Sequence, residues 1–197
     1  MLARARERVP SATLLAGDAA TQTFSRRFDA LFSRFGVMFF ADPIGAFTHL
    51  ASTLRARGRI AFVCWRTPAE NPWVTLPVEA ARAVRPEVVF PWQADPESPG
   101  PFAFAQRERI AEVLGAAGLT GVEIEPFDSE VVVSQTGLAA AVQFALTVGP
   151  GARFVAEATS EQRARIEQAV AQAFAPLMRG EQLFLRGAAW IVAAQTP

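Results

Sequence analysis

The chain has 197 residues, of which 51% are hydrophobic, and its 19 basic and 19 acidic residues give a formal net charge of zero. This length suits one domain with a sizeable core, and the balanced charge argues against a protein that attracts nucleic acid or an anionic membrane. The lack of lysine excludes Schiff-base chemistry and a phosphate-binding P-loop, while a single cysteine, Cys64, and a single histidine, His49, exclude a disulfide framework and a metal site built from such ligands.

The first predicted element is a helix in "MLARARERVP". Leu2, Ala5 and Val9 recur at near-helical spacing among arginines, and Pro10 marks the end of the pattern. A helix normally begins with a capping residue that satisfies its free backbone N–H groups, but here Met1 already lies inside the pattern. We therefore expect this segment to be the interior of a longer helix.

Two apolar runs after this helix predict strands. The run "ATLLAGDA" is typical of a buried strand that ends at the polar turn residues Gly17 and Asp18. The run "FDALFSR" predicts a second strand from Phe28 to Ser33, which opens into a loop that contains Gly36.

The clearest helix lies in "ADPIGAFTHLASTLRARG". Asp42 is its predicted N-cap, Pro43 takes the first helical position, and Gly58 is predicted to end it. Apolar residues at helical spacing form the side that faces the core: Ile44, Phe47, Leu50, Ala51 and Leu54. The apolar run "RIAFVCW" then predicts a strand buried on both faces, which completes a strand–helix–strand unit.

The segment 67–104 differs in composition from the rest of the chain. It is rich in proline, and a helical piece is predicted around Val74–Val84. Trp73, Phe90 and Trp92 favour an inserted cap over a linker, because linkers seldom carry such side chains.

The remaining chain predicts three helices and two strands. A helix in "AQRERIAEVLGAAG" ends at Gly118, and "GVEIEPFD" alternates like a strand that is exposed on one face. "GLAAAVQFALTVG" and "TSEQRARIEQAVAQAFAPLM" predict two further helices, the second with a capping box between Thr159 and Gln162. "FLRGAAWIVAAQ" predicts the last strand.

Three stretches carry a resemblance to a known family: "FDALFSRFGVMFFADP", "GRIAFVCWR" and "ENPW". They resemble the fourth strand, the following helix and the fifth strand of class I S-adenosylmethionine-dependent methyltransferases, especially the ubiquinone and menaquinone biosynthesis branch. The resemblance implies an α/β fold with a Rossmann-like sheet in the strand order 3-2-1-4-5-7-6, helices on both faces, an inserted helical cap and a C-terminal antiparallel strand. It also implies methyl transfer from S-adenosylmethionine to a small molecule.

The chain departs from the family in the region of the first two strands. It lacks the GxGxG loop and the acid that binds the ribose, and "GPGAR" at Gly149 is a weak match because it follows a helix. We therefore expect an incomplete sheet whose third strand pairs directly with the fourth, and weak or absent binding of S-adenosylmethionine. The predicted parts are a remnant of the cofactor-binding half with the third to fifth strands (1–66), the cap (67–104) and the C-terminal helices with the last two strands (105–197).

The resemblance implies that six residues contact the cofactor: Met1, Asp18, Ala19, Ser33, Arg34 and Phe35. Asp18 would accept a hydrogen bond from the adenine amine, and the small Ala19 would let the ring lie close to the backbone. From the residues alone, Asp18 is more readily a turn residue that closes a strand. Ser33 and Arg34 are, on the same ground, equally the start of a solvated loop.

The resemblance places the entrance of the substrate pocket after the fifth strand. The predicted substrate-binding residues are Met38, Phe39, Trp65, Asn71 and Trp73. Aromatic walls with one amide suit a flat or apolar acceptor, whereas the alternative of equal weight is that these aromatic residues form the core of the cap. No catalytic residue is predicted, because methyl transfer from a sulfonium requires in-line positioning more than an acid or a base.

The lone histidine and cysteine are not predicted to take part in catalysis. His49 falls opposite the apolar side of its helix and is expected to face solvent, and Cys64 lies in a buried strand, where a thiol is inert.

No apolar stretch is long enough to span a bilayer, so we expect a cytoplasmic, bacterial-type protein. The predicted partners are a small-molecule acceptor and a second copy bound through exposed sheet edges, with no metal, nucleic acid or membrane. The alternative function is a noncatalytic interaction or dimerisation module derived from a methyltransferase.

Overall fold

The computed structural model describes residues 2–90, 93 and 95–197. Two residues with predicted roles lie outside the described residues. Met1 is a predicted cofactor contact, and Trp92 is predicted to lie in the cap. Seven α-helices form within those residues: α1 (Leu2–Arg8), α2 (Pro43–Ser52), α3 (Pro72–Arg82), α4 (Arg107–Ala116), α5 (Leu138–Thr147), α6 (Ala152–Ala156) and α7 (Ser160–Phe174). The strands there are β1 (Phe28–Arg34), β2 (Leu54–Trp65), β3 (Thr120–Ser134) and β4 (Leu183–Gln195). None of these helices has both the length and the apolar composition needed to cross a membrane.

The strands form one mixed sheet in the order β1-β2-β4-β3. β1 and β2 are parallel and are connected through α2, whereas β4 runs antiparallel to both of its neighbours. This order matches the 4-5-7-6 part of the sheet that the resemblance implies. The predicted α/β fold with a C-terminal antiparallel strand is therefore confirmed.

One core cluster lies between the sheet and the helices α2 and α4. Because alternate residues of a strand point to the same face, β2 presents Ile60, Phe62 and Cys64 together, and all three are buried. Phe47 of α2 and Ile110 of α4 are fully buried against them. Each such side chain contributes about 1.5–3 kcal/mol when it leaves water, so this cluster holds the helices on the sheet.

A second core cluster joins the helices α3, α5 and α7 to the beginning of β4. Leu183 and Leu185 of β4 are buried there, together with Phe154 of α6 and Phe174 of α7. α3 is the helix predicted within the segment 67–104, and it packs into this cluster. The division of the chain at residues 66 and 104 stays a prediction.

Two predicted helix starts are confirmed at the level of hydrogen bonds. The Asp42 Oδ1 atom accepts a 2.9 Å hydrogen bond from the backbone N–H of Gly45, and Pro43 is the first residue of α2. At the start of α7, the Thr159 hydroxyl accepts from the Gln162 backbone N–H at 3.2 Å, and the Gln162 side chain accepts from the Thr159 backbone N–H at 3.0 Å. Both caps satisfy backbone donors that the helix itself leaves free.

The predicted end of α2 at Gly58 is wrong. The helix ends at Ser52, and Leu54, which was predicted for its apolar side, is the first residue of β2 and pairs with Phe28 of β1. The hydrogen-bonded ladder therefore outweighs the local helical pattern. Gly58 is needed for space inside β2, since a Cβ atom there would lie 2.8 Å from the backbone oxygen of Arg55.

The predicted strand in "ATLLAGDA" is also wrong. No strand forms between α1 and β1 in the described chain, and Leu15 of that run is 58% exposed. A strand needs a neighbour to pair its backbone groups, and β1 pairs with β2 alone among the described strands. The expected pairing of the third strand with the fourth is therefore contradicted. α1 forms as predicted, but none of its residues is buried.

Candidate functional site

An aromatic cavity of about 390 Å³ opens where the parallel strands β1 and β2 end. The carboxyl ends of parallel strands are where open α/β sheets bind ligands. Nine residues from the loop after β1, the end of β2, the segment 67–104 and the region of α6 line this aromatic cavity: Phe35, Met38, Phe39, Trp65, Trp73, Phe90, Pro101, Pro150 and Arg153. The structure thus brings together four of the five predicted substrate-binding residues.

Stacked aromatic rings form the wall nearest the sheet. The rings of Phe35 and Trp65 lie 4.1 Å apart at an interplanar angle of 13°, and Trp73 lies 4.8 Å from Trp65. The Sδ atom of buried Met38 accepts a 3.4 Å hydrogen bond from the Trp65 backbone N–H. Phe35 has a φ of +57°, a left-handed conformation that costs about 1–2 kcal/mol in a residue with a Cβ. The packing of these side chains therefore has to offset the cost of the Phe35 backbone conformation.

Asn71 holds Trp73 and does not line the aromatic cavity. Its side chain is fully buried, and its amide donates 3.0 Å hydrogen bonds to the carbonyl oxygens of Thr67 and Ala188. Its Oδ1 atom accepts from the Ala188 backbone N–H at 2.9 Å and from the Trp73 indole N–H at 3.0 Å. Because these bonds occupy the amide, Asn71 holds Trp73 in place in this structure, and its predicted contact with a substrate stays a prediction.

An ion pair fixes the segment that leads from β2 into α3. Arg66 pairs with Glu70 and with Asp128 Oδ1 at 3.2 Å, and its guanidinium lies 5.0 Å from the centre of the Trp190 ring. Burial acts to raise the pKa of Glu70, but the Thr67 hydroxyl and the Arg66 guanidinium bring that pKa below its usual value. Glu70 therefore stays ionised beside Arg66 at neutral pH.

The residues predicted to hold the cofactor are only partly brought together. Phe35 lines the aromatic cavity, and Arg34 and Phe35 line a second, apolar cavity of about 230 Å³ on the sheet side of the Phe35–Trp65 stack. Ser33 is half-buried beside them at the end of β1 and lines neither cavity.

Asp18 and Ala19 lie in an exposed turn and line neither cavity. The Asp18 Oδ1 atom accepts a 2.9 Å hydrogen bond from the Ala20 backbone N–H, and its carbonyl accepts from the backbone N–H groups of Thr21 and Gln22. This is the geometry of the turn residue that the sequence alone favoured. The predicted contact of Asp18 with adenine stays a prediction.

The lone histidine and cysteine have structural environments. His49 is half-buried and not solvent-facing as predicted, because its Nε2 atom lies 2.8 Å from the carbonyl oxygen of Gln22. Since a carbonyl only accepts, Nε2 is the donor. Burial raises the pKa of Cys64 to about 12, so the thiol is protonated and unreactive at neutral pH, as predicted.

Sequence reasoning missed Pro150 and Arg153 of the cavity wall. The sequence "GPGAR" is a weak match to a glycine loop, and in the structure Gly149–Gly151 forms a short 3-10 helix that leads into α6. No local pattern signals that this segment meets the end of β2. A Cβ at Gly151 would lie 1.8 Å from the backbone oxygen of Ala145, so the glycine is needed for close approach to α5.

A larger cavity of about 740 Å³ lies beside α4 and is less suited to an apolar ligand. Its lining includes four carboxylates, of Asp95, Glu97, Glu108 and Glu112, and one cation, Arg109. Arg109 pairs with Glu97 at 3.1 Å and with Glu112 at 3.5 Å, which neutralises part of this charge within the protein. Across the described part of the chain, no three metal-ligating side chains are grouped closely enough to hold an ion.

No protein-family model matches the chain, and no curated protein matches it. Solved structures do match, at low sequence identity. A candidate methyltransferase of Bacillus halodurans is 16% identical with a TM-score of 0.54, over 100% of this chain and 78% of the other. The YcgJ protein of Bacillus subtilis is 16% identical with a TM-score of 0.52, over 98% of this chain and 76% of the other.

A third structural neighbour is a longer enzyme. It is phosphoethanolamine N-methyltransferase 2 of Haemonchus contortus, solved with phosphomonomethylethanolamine and S-adenosylhomocysteine. It is 16% identical with a TM-score of 0.50, and the match covers 100% of this chain but 41% of that enzyme. At such identities the likeness establishes the fold.

Proposed function

Because the chain has the fold of class I S-adenosylmethionine-dependent methyltransferases, we propose that it transfers a methyl group from S-adenosylmethionine to a small-molecule acceptor. The observation that carries this proposal is the aromatic cavity at the carboxyl ends of β1 and β2. The Haemonchus contortus neighbour binds S-adenosylhomocysteine, which is the product form of that donor. The membership of the ubiquinone and menaquinone branch stays a prediction.

The residues at the cavity fit the sulfonium end of the donor better than its adenosine end. The ring faces of Phe35 and Trp65 carry negative π-electron density, which attracts a cation. The predicted adenine contacts, Asp18 and Ala19, lie in an exposed turn, and no carboxylate lines the aromatic cavity. Each hydrogen bond that the donor fails to find contributes about 1–3 kcal/mol when it is present. We therefore propose weak binding of the donor in this chain.

The chain's own residues contribute by positioning the acceptor. The rings of Phe39, Trp65 and Trp73 restrict a flat molecule to a few orientations, and the apolar lining keeps water away from it. The donor, when bound, supplies a methyl group on a positively charged sulfur, which already carries its leaving group. Orientation alone can therefore account for a large part of the rate, without a general acid.

The proposal is tested by isothermal titration calorimetry of the 197-residue chain with S-adenosylmethionine and, separately, S-adenosylhomocysteine. We expect dissociation constants on the order of 100 µM, with the cationic donor favoured about two- to fivefold because of the aromatic wall. Phe35→Ala should abolish this preference, and Phe24→Ala, which changes a phenylalanine outside the aromatic cavity, should retain it. No heat from either compound would refute donor binding, and a constant below about 1 µM would refute its weakness.

A second candidate function, a noncatalytic dimerisation module, is favoured by the face of the sheet opposite α2 and α4. The strand register places two rows of side chains on it. We call these rows the open face: Phe32, Ala61, Ala193 and Glu123 in one row, and Arg34, Val63, Ile191 and Glu125 in the next. Phe32, on the edge strand β1, is 72% exposed, and Ile191, on the inner strand β4, is 42% exposed; exposed apolar residues that lie side by side often mark an interaction surface.

The open face is self-complementary in charge. Arg34 lies on the edge strand β1, and Glu123 and Glu125 lie on the opposite edge strand β3. A twofold axis parallel to the strands, in the plane between two facing sheets and above the line between β2 and β4, would put Arg34 of one copy opposite Glu125 of the other, with the apolar residues packed between them. We therefore propose the open face, which adjoins the free edge of β1, as the surface of the predicted homodimer.

Light scattering after size exclusion tests this second candidate. We expect a dimer at about 100 µM, weakened by Arg34→Glu or Glu125→Arg alone and restored when both charges are exchanged in one chain. Val148→Asp introduces a charge at an exposed apolar residue outside the open face and should leave the dimer intact. A wild-type monomer at that concentration, or a double exchange that fails to restore association, would rule the open face out as an interface.

A further inference from the structure

One charged side chain takes part in the lining of the aromatic cavity. Arg153, from α6, is the sole residue with a formal charge among the nine that line it. Its guanidinium carbon lies 5.9 Å from the centre of the Phe90 ring, which belongs to the same wall. A guanidinium over an aromatic face keeps its planar donors free at the edge, so it can bind an anion while it packs.

Arg153 has no carboxylate partner in the described part of the chain. The ion pairs recorded there involve other arginines, such as Arg85 with Glu87 at 2.7 Å and Arg109 with Glu97 at 3.1 Å. The aromatic cavity therefore combines a large apolar lining with one cation whose charge no lining residue offsets. A ligand that brings its own negative charge would supply the missing partner.

We propose that the occupant of the aromatic cavity is a flat aromatic molecule with an anionic group, and that Arg153 binds this group. The identification of this molecule as the methyl acceptor rests on the proposed function. Its binding to Arg153 does not. The rings of Trp65, Trp73 and Phe39 hold the aromatic body, and the fork of Arg153 donors holds a carboxylate or a similar anion. Arg153 is thus a specificity-determining residue.

The lining of the aromatic cavity comes from different parts of the fold. Phe35 and Met38 belong to the loop after β1, whereas Pro150 and Arg153 belong to the segment between α5 and α7. An anion on Arg153 therefore fixes one end of the ligand to that segment, and the aromatic body extends along the wall toward the stacked rings. This gives the ligand a single direction in an otherwise featureless apolar space.

Calorimetric titration with 2-naphthoate and its neutral isostere 2-naphthamide tests the proposal without any methyl donor. We expect the wild-type chain to bind the carboxylate about two- to fivefold more tightly, since a charge-assisted pair outweighs a neutral hydrogen bond but solvent screens the exposed Arg153. Arg153→Gln should equalise the two affinities, and Arg153→Lys should keep part of the preference. Arg165→Gln removes the same charge at an exposed position of α7 outside the aromatic cavity and should change neither affinity.

Three results would overturn the proposal: equal wild-type affinities for the two ligands, a preference that survives Arg153→Gln in a chain with unchanged circular dichroism, or no binding of either ligand. Raising the salt concentration should weaken the binding of 2-naphthoate and leave that of 2-naphthamide unchanged, because Arg153 is accessible to solvent. Since no donor is present, a chain that binds 2-naphthoate but not S-adenosylmethionine would refute the methyl transfer and support the role of Arg153.

Discussion

Replacing Asn71 with alanine should destabilise the chain far more than a surface substitution does. The Asn71 amide connects the beginning of α3 to the middle of β4 through both the N–H and the carbonyl of Ala188, which is itself fully buried. Alanine would leave the Ala188 N–H without its 2.9 Å acceptor and the Trp73 indole N–H without its 3.0 Å acceptor. The Ala188 carbonyl keeps one donor, the backbone N–H of Arg66 at 3.0 Å.

The size of the effect follows from these two lost acceptors. A buried donor left without a partner costs about 1–3 kcal/mol, and the cost for Trp73 falls at the low end because its side chain is only half-buried. The free energy of unfolding should therefore fall by about 2–4 kcal/mol. In a domain of this size that corresponds to a decrease in Tm of roughly 5–15 °C.

Urea unfolding followed by circular dichroism measures this change. Gln143→Ala is the matched control, because Gln143 is an exposed amide on α5, and we expect a change within about 0.5 kcal/mol. Asn71→Asp nearly preserves the volume and keeps the acceptor for Ala188 and Trp73, but it places a carboxylate oxygen against the carbonyl oxygens of Thr67 and Ala188. It should therefore be destabilised by the lost donors and the buried charge, with packing almost unchanged. A change below about 1 kcal/mol for Asn71→Ala, with an unchanged m-value, would refute the assignment.

Other predictions follow from individual environments. Gly151→Ala should destabilise the chain by about 2–4 kcal/mol, because its Cβ would lie 1.8 Å from the Ala145 backbone oxygen. Gly115→Ala in α4 places its Cβ in open space and should stabilise the chain by about 0.5–1 kcal/mol. Thermal unfolding of the two variants measures both changes. Cys64, with its pKa raised to about 12, should not react with a disulfide reagent at about pH 8 until urea unfolds the chain, and rapid labelling of the folded chain would contradict this. Since the folded-state pKa of Glu70 is lowered, its contribution to stability exists above the unfolded pKa and is lost as the pH falls through the folded pKa. Glu70→Gln should therefore be less stable than wild type at neutral pH and equal to it in acid, and a difference that persists in acid would point to packing.

Features with local causes could be predicted from the sequence. The caps at Asp42 and Thr159 depend on residues three positions away, and both form as expected. The failures at "ATLLAGDA" and Gly58 have a common cause, because a strand exists only with a neighbour. Leu54 lies in a strand because β1 is beside it. Leu15 lies outside any strand because none of the described strands is beside it.

The candidate site is predictable only in the part that the strand ends determine. Phe35 follows β1 and Trp65 ends the parallel strand β2, and the resemblance implies a ligand contact for each of them, although for different ligands. The role of Asn71 depends on Ala188, which is 117 residues further along the chain, and the place of Arg153 depends on how α5 and α7 pack. No local spacing contains that information.

The Phe35–Trp65 stack has a consequence for the size of the ligands that the chain can accept. The pair is a wall shared by the aromatic cavity of about 390 Å³ and the apolar cavity of about 230 Å³ behind it. A molecule that extends from the first cavity into the second has to displace one of these two rings. The stack therefore acts as a molecular-size threshold: a long ligand that crosses it occupies both spaces at once, and a short one leaves the second space empty.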